Sequence, residues 1–449
     1  LNILTKTKKI IKNTFNNEMA VKIIKNSSWL VSEKIFTMIF GVLIIAIVAR
    51  YFGPEKFGQF NYALAFVSLF TAISTLGLET LTVKSLIDKK YEEGTILCTS
   101  LILRLIGGGI LTLLASIIIR VIEPHNETIH FLVLIMSMTM VLKAFDVIEY
   151  WIQAHQKAKI SSIIRMCTYV LISTFKIILV IREGTIIQYA IIYSIDAAII
   201  GFALIISYIK FREVNFTWKF NFQYTINILS QSWYLILSGL MITLYMRIDQ
   251  VMLGSISTSK EVGIYSAAVR IAEMWYFVPM AIITSFKPVI MSNKNMGKEK
   301  YLISIQLLYS IVAYLGILFG LLTVMFSNTI VSILYGSEFK EAASILTLSV
   351  WAGTFAMLGS ARSIWLLNEG LQKYTLVYTV VGLLINVTLN VILIPKMGAY
   401  GAAIGTLVAQ VTNILVLFLF KKTKVSTIMI LKSFIPIYFI KYLNFRKRT

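Results

Sequence analysis

Charge is what this sequence has least of. Asp, Glu, Lys and Arg make up 14% of its 449 residues, against roughly 25% in soluble domains. Prolines number six, histidines three and cysteines two. Cys98 and Cys167 lie in or beside apolar runs without CxxC spacing, which supports neither a disulfide framework nor a zinc site. His125, His130 and His155 are scattered over loops and segment edges, so neither a metal site nor a histidine-based acyltransferase is indicated. No G-x-x-x-x-G-K-S/T occurs, and with it goes a P-loop for ATP. Long polar stretches are missing as well, which argues against a soluble domain of any size.

What fills the space is hydrocarbon. Hydrophobic residues reach 57% and mean hydropathy is +0.80. The apolar runs are of the length, about 20 residues, that a helix needs to cross a bilayer. Twelve spans are predicted, at 29–51, 59–82, 96–119, 129–151, 160–182, 185–209, 227–252, 262–290, 302–326, 343–367, 372–394 and 399–420. A further apolar piece at 428–440 is interrupted by Lys432 and Pro436 and is expected to lie at the interface, with a thirteenth span as the alternative. The organisation expected is a basic cytoplasmic segment 1–28, a first lobe 29–209, a cytoplasmic connection 210–226, a second lobe 227–420 and a basic tail 421–449.

The net charge of +21 would suggest nucleic acid in a soluble protein. In a membrane protein it reads as the excess of Lys and Arg on cytoplasmic loops, so no nucleic-acid partner is expected. Lys84, Lys89, Lys90, Lys157, Lys159, Lys210, Arg212, Lys219, Lys294, Lys298 and Lys300 fall on one side, and only about one cation per loop on the other. Both termini are therefore expected in the cytoplasm. The lysines of residues 1–28 are expected on anionic lipid, worth about 1 kcal/mol each near the surface. No cleavable leader is expected, because this stretch has no continuous apolar core.

The two halves resemble each other. Ser28-Trp29 opens the first span and Ser232-Trp233 the seventh, while Phe57-Gly58-Gln59-Phe60-Asn61-Tyr62-Ala63 answers Val262-Gly263-Ile264-Tyr265-Ser266-Ala267-Ala268. The offsets are 204 and 205 residues. Six spans separate the copies, so both enter the membrane in one direction. That implies two six-helix lobes related by a parallel pseudo-two-fold.

A charge at the bilayer centre costs about 2.5–3.5 kcal/mol on insertion scales, so each needs a partner or a wet cavity. The spans hold Glu33, Lys34, Arg104, Lys143, Asp146, Glu149, Arg165, Lys176, Asp196, Arg247, Asp249, Arg270, Glu273 and Arg362. Lys143 with Asp146, and Arg270 with Glu273, can pair at i, i+3 on one face. Arg104, Lys176 and Arg362 have no opposite charge within four residues. Their partners must come from other helices or from a ligand, except that Arg247 and Arg362, near span ends, have snorkelling as an alternative. Cations outnumber anions, which suits an anionic cargo. Gly107-Gly108-Gly109 is expected to allow close helix approach, Pro279 and Pro288 to kink the eighth span, and Asn386, Asn390, Gln410 and Asn413 to bond between helices.

Ala49-Arg50-Tyr51-Phe52-Gly53-Pro54-Glu55-Lys56-Phe57-Gly58 resembles the opening of the polysaccharide-biosynthesis (Wzx-type) O-antigen flippases. Arg247-Ile248-Asp249-Gln250-Val251-Met252-Leu253-Gly254, then Glu261 to Ala268, is similar to the start of their second lobe. Gly398-Ala399-Tyr400-Gly401-Ala402-Ala403 is similar to the start of their last paired helices. The resemblance implies membership of the multidrug/oligosaccharidyl-lipid/polysaccharide (MOP) exporter superfamily, all-α proteins of the bacterial inner membrane. It also implies outward flipping of an undecaprenyl-diphosphate-linked sugar repeat, for which such proteins are described as having a cationic cavity. Two extra C-terminal helices of the related lipid II flippases are missing, which counts against the peptidoglycan precursor.

On this reading the protein is a transporter and not an enzyme, with no catalytic residue, cofactor or metal. Arg104, Lys143, Lys176, Arg247, Arg270 and Arg362 are the expected cationic cavity, since Arg forks and Lys point charges neutralise phosphate oxygens. Asp146, Asp249 and Glu273 are expected to hold those cations or to bind a coupling H+ or Na+. Other polysaccharide-assembly proteins are candidate partners. A drug or cation antiporter of the same superfamily, which should show a net acidic cavity, and a membrane-embedded transferase acting on the same lipid carrier are the rivals.

Overall fold

The computed structural model describes residues 18–212 and 217–436, so most of segment 1–28, part of the connection 210–226 and the end of the tail lie outside it. Those residues are helical with no strand among them. Ten helical runs are long and apolar enough to cross a membrane. Two of the ten, Lys25–Asp88 and Lys373–Leu419, each hold two of the predicted spans. Within them the helix breaks at Gly53 (φ 67°) and Gly398 (φ 54°), left-handed conformations that a side chain resists. Counted at these breaks, the twelve predicted spans are all present. Both breaks fall in motifs that carried the family resemblance.

Exposed apolar stripes confirm the lipid setting. On the Glu93–Ile122 helix, Ile106, Ile110, Leu113, Ile117 and Val121 are all more than half exposed. That spacing is one helix face, and in water such a patch would drive association.

Contacts divide the chain into two units, 1–48 with 66–240 and 49–65 with 241–449, a division unlike the expected 29–209 and 227–420. Segment 49–65 belongs with the second unit for a steric reason. Gly58 and Gly263 bring their backbones together so closely that a Cβ on either would strike the other strand of chain. Arg50 adds bonds to the carbonyls of Ser332 (3.1 Å), Ile333 and Leu334 (2.9 Å) at the end of the Lys298–Tyr335 helix. Residues 227–240 join the first unit, where Ile228 enters a core with Leu78, Ile96, Trp151 and Leu204 and Leu235 packs on Gly77.

The predicted kink of the eighth span falls at Trp275 and Tyr276, between helices Ser259–Met274 and Phe277–Met296. Pro279 explains its place, because it has no N–H for the Trp275 carbonyl and crowds that turn; Val278 N takes the carbonyl instead at 3.1 Å. Pro288 lies inside the second helix. The piece beginning at 428 is part of a ten-residue helix, Lys424–Ser433, half the length of a span. It packs on the Lys298–Tyr335 helix through Gln306 to the Met429 carbonyl (2.9 Å) and Tyr309 to Ser426 (2.9 Å). Residues 437–440 of that piece lie outside the described residues.

Candidate functional site

In the first unit the fourth predicted span is not a continuous helix. Helix Glu127–Ser137 gives way to a short turn and then to a 3-10 turn over Lys143–Asp146 before the helix resumes at Val147. Neighbouring hydroxyls take up carbonyls freed at the break, Ser194 that of Ile135 (2.8 Å) and Thr112 that of Ser137 (2.9 Å). Gly108 permits the close approach, lying directly against the Met140 carbonyl. The break opens a cavity of about 150 Å³, walled by Lys143, Asp146, Arg165 and Asp196 with Thr139 and Tyr193. A 3-10 stretch in mid-helix often marks a functional hinge.

One pair of opposite charges meets here, and aromatic rings and a hydroxyl engage other charges nearby. Arg165 pairs with Glu149 through both its Nε and Nη2. Arg104 is 3% exposed; its Nη1 donates to the Tyr150 hydroxyl at 2.7 Å and its guanidinium lies 5.8 Å from that ring. Lys176 stands 5.5 Å over the Tyr189 ring. Glu33 accepts from Ser162 at 3.1 Å. Of the predicted residues, Lys143 and Asp146 meet in the cavity, while Arg104 and Lys176 are engaged beside it by aromatic rings. Among the described residues the ion pair expected between Lys143 and Asp146 is not made at 4 Å, whereas Arg165 pairs with Glu149.

The second unit handles charge differently. Asp249, 4% exposed, is held by neutral donors alone. Its Oδ2 accepts from Tyr265 (2.7 Å) and Thr406 (2.6 Å), and its Oδ1 from Asn386 (2.9 Å) and Asn390 (2.6 Å). The two asparagines, one turn apart, are thus the interhelical bonds expected of them. Asp249 borders a cavity of about 660 Å³ whose walls include Glu273, Lys287, Tyr245, Tyr276, Tyr378 and Asn413.

The cations predicted for this unit do not converge there. Arg362 is fully buried. Its Nη2 and Nη1 donate to the carbonyls of Asn413 (2.8 Å) and Ile414 (3.3 Å), at the C-terminal end of helix Lys373–Leu415, where helix dipoles favour a positive charge. Its guanidinium lies 4.4 Å from the Tyr378 ring. Arg270 is exposed, and its expected pairing with Glu273 is not made at 4 Å among the described residues. Arg247 is half-buried and reaches Gln250 at 3.4 Å. The expected cationic cavity is therefore corrected for this unit: the cavity walls carry Asp249, Glu273 and Lys287, one more acid than base.

Sequence reasoning missed the aromatic wall. Tyr245, Tyr276 and Tyr378 look like ordinary apolar span residues, and nothing in their spacing marks them. Lys287 lies within the predicted span 262–290 but was not among the intramembrane charges singled out. Arg165 and Asp196 were visible as intramembrane charges but carried no pattern linking them to Lys143 and Asp146.

This is the architecture of a multi-span membrane protein. Its fold is that of the lipid II flippase MurJ in an inward closed conformation, with a TM-score of 0.72 at 17% identity over 94% of this chain and 93% of that one. An inward-facing multidrug resistance MATE family transporter of the MOP superfamily shares it too, with a TM-score of 0.67 at 15% identity over 88% and 96%. Residues 23–294 match the polysaccharide biosynthesis protein family, and residues 235–392 match MatE. The chain belongs to the polysaccharide biosynthesis protein family, within the MOP superfamily. It is 25% identical to a probable low-salt glycan biosynthesis flippase of Haloferax volcanii over 82% of this chain and 77% of that protein. It is 22% identical to the capsular polysaccharide biosynthesis protein CapF of Staphylococcus aureus over 89% and 99%.

Proposed function

We propose that this protein is a transporter that flips a lipid-linked oligosaccharide across the cell's inner membrane. The observation that carries the reading is a roomy cavity among the spanning helices, mainly apolar and aromatic but bearing Asp249, Glu273, Lys287 and Asn413, in a member of a polysaccharide-biosynthesis family. The cargo proposed is a sugar repeat on undecaprenyl diphosphate, of the O-antigen type, moved from the cytoplasmic to the outer leaflet by alternating access. The lipid tail stays in the bilayer and the polar end needs a wet passage. Both termini are proposed to be cytoplasmic, from the lysine bias of the loops.

Cells lacking the protein test this directly. They should accumulate completed lipid-linked units on the cytoplasmic face; truncated units would point to a transferase and unchanged pools would overturn the reading. A diphosphate with about two negative charges gains up to about 2.3 kcal/mol per charge per 100 mV on moving outward against an interior-negative potential. Collapsing the potential in proteoliposomes should therefore slow flipping.

For a coupling ion, H+ or Na+, the reading favours Asp249. A proton needs only the carboxylate. A hard cation needs oxygens, which Thr406, Tyr265 and the Asn386 and Asn390 amides supply once the amides turn. An imposed Na+ or pH gradient should change flipping in the wild type and not in Asp249→Asn.

A drug or cation antiporter is the second reading, favoured by the acid excess of the 660 Å³ cavity and the match to MatE. It predicts normal surface glycan and raised sensitivity to cationic drugs in the deletion strain.

A further inference from the structure

The 660 Å³ cavity is also poorly suited to the most highly charged part of the proposed cargo. Its charged groups are Asp249 and Glu273 against Lys287. A diphosphate placed there would face two carboxylates and one ammonium, a repulsion at any effective dielectric.

The cavity instead offers a carboxylate, Glu273, with no donor among the described residues. Asn413 is 6% exposed and borders the space. Its Nδ2 donates to Tyr245 at 2.8 Å, which fixes that ring in the wall, while its Oδ1 lies buried against Gly382. Glu273, one turn along its helix from Val269 on the same wall, accepts no hydrogen bond and forms no ion pair among the described residues. A half-buried carboxylate without a partner favours a donor. Around the cavity stand the rings of Tyr245, Tyr276, Tyr378 and Phe355, flat surfaces with an apolar body and, for tyrosine, a polar tip. A volume of about 660 Å³ lies within the roughly 300–1,000 Å³ typical of small-molecule sites.

We propose that this cavity is a binding site for a pyranose ring bearing no acid or phosphate group, with Glu273 accepting from its hydroxyl or ammonium donors and a tyrosine ring against its C–H face. The inference rests on the flippase reading for its physiological ligand, and it divides the cargo: the sugar end enters the second unit's cavity and the diphosphate is excluded from it. An amino sugar is preferred over a neutral one, because its ammonium meets Glu273 with a charge-assisted bond.

Saturation-transfer NMR on the full chain in nanodiscs tests the site with four probes: methyl glucoside, glucosamine, glucuronate and pyrophosphate. The expected result is transfer to the ring protons of glucosamine and, more weakly, methyl glucoside, none to glucuronate, and no displacement of either sugar by pyrophosphate. Glu273→Gln should weaken glucosamine about tenfold, the loss of one charge-assisted bond, and Glu273→Lys should admit glucuronate. The proposal is overturned if no sugar binds, if glucuronate binds as well as glucosamine, if pyrophosphate displaces the sugar, or if folded Glu273→Gln binds glucosamine unchanged. The pyrophosphate competition needs no variant and so stands even if a substitution fails to fold. The deletion strain keeps the two readings apart. Sugar binding in this pattern with unchanged lipid-linked pools sinks the flippase and leaves the site, whereas accumulated pools without sugar binding do the reverse.

Discussion

The two units set charge beside their cavities differently, the first with an ion pair and the second with a carboxylate held by neutral donors. Arg104 of the first is held by a neutral tyrosine as well. In the first, Lys143, Asp146, Arg165 and Asp196 surround one small cavity and the strongest contact is an ion pair, Arg165 with Glu149. In the second, the buried carboxylate of Asp249 is surrounded by a tyrosine, a threonine and two asparagines, while Arg362 is capped by backbone carbonyls. Opposite charges balance each other in the first case. In the second each charge is solvated by fixed dipoles, and its sign stays available to the neighbouring space. A cavity beside an ion-paired cluster is electrically quiet; a cavity beside a dipole-solvated carboxylate is not.

The largest expected effect is at Asp249. Asp249→Ala removes the common acceptor of four donors, of which Thr406 and Asn390 keep the Ala402 carbonyl and Asn386 Oδ1. With each donor left unmet costing about 1–3 kcal/mol, a loss of about 4 kcal/mol is expected in detergent unfolding. If Asp249→Ala unfolds like wild type, dipole solvation of that carboxylate is not what holds the second unit together. Next comes Arg362→Ala, expected to cost about 3 kcal/mol because a buried charge and its carbonyl partners are separated. Lys should restore little of it, having neither the fork nor the planar face that Tyr378 meets. A smaller effect is expected in the first unit, where a double-mutant cycle over Glu149→Gln and Arg165→Gln should give a coupling of about 2 kcal/mol. A coupling near zero would erase the contrast between the units. Smallest is Arg270→Ala, within about 0.5 kcal/mol for an exposed side chain away from special features. Surface glycan sharpens that case: export lost with stability intact would return Arg270 to the path of the cargo.

The spans were legible because hydrocarbon thickness leaves a length signature that no tertiary contact rewrites. The breaks were legible too, in Gly53-Pro54 and around Gly398, since a left-handed turn constrains its residue type. Less visible was where the segment around Gly58 would pack. The repeat pointed to Gly58 and Gly263 as equivalent positions, and the structure makes them direct neighbours. Side-chain direction was not legible. Arg362, Arg270 and Arg247 are equal as charges on apolar helices, and only the surroundings send one to carbonyls, one outward and one to Gln250. The i, i+3 argument failed at Arg270 and Glu273 because sharing a helix face brings two groups near without making them meet. The 3-10 turn over Lys143–Asp146 has no Pro or Gly to announce it.

The turns at Gly53 and Gly398 have a practical consequence. At each, one helix follows the next with almost no intervening chain, so these two corners offer no slack for an inserted epitope, a protease site or a cysteine-reactive label. Topology mapping has to use the other connections, and a tag forced in at either corner would report on a damaged protein.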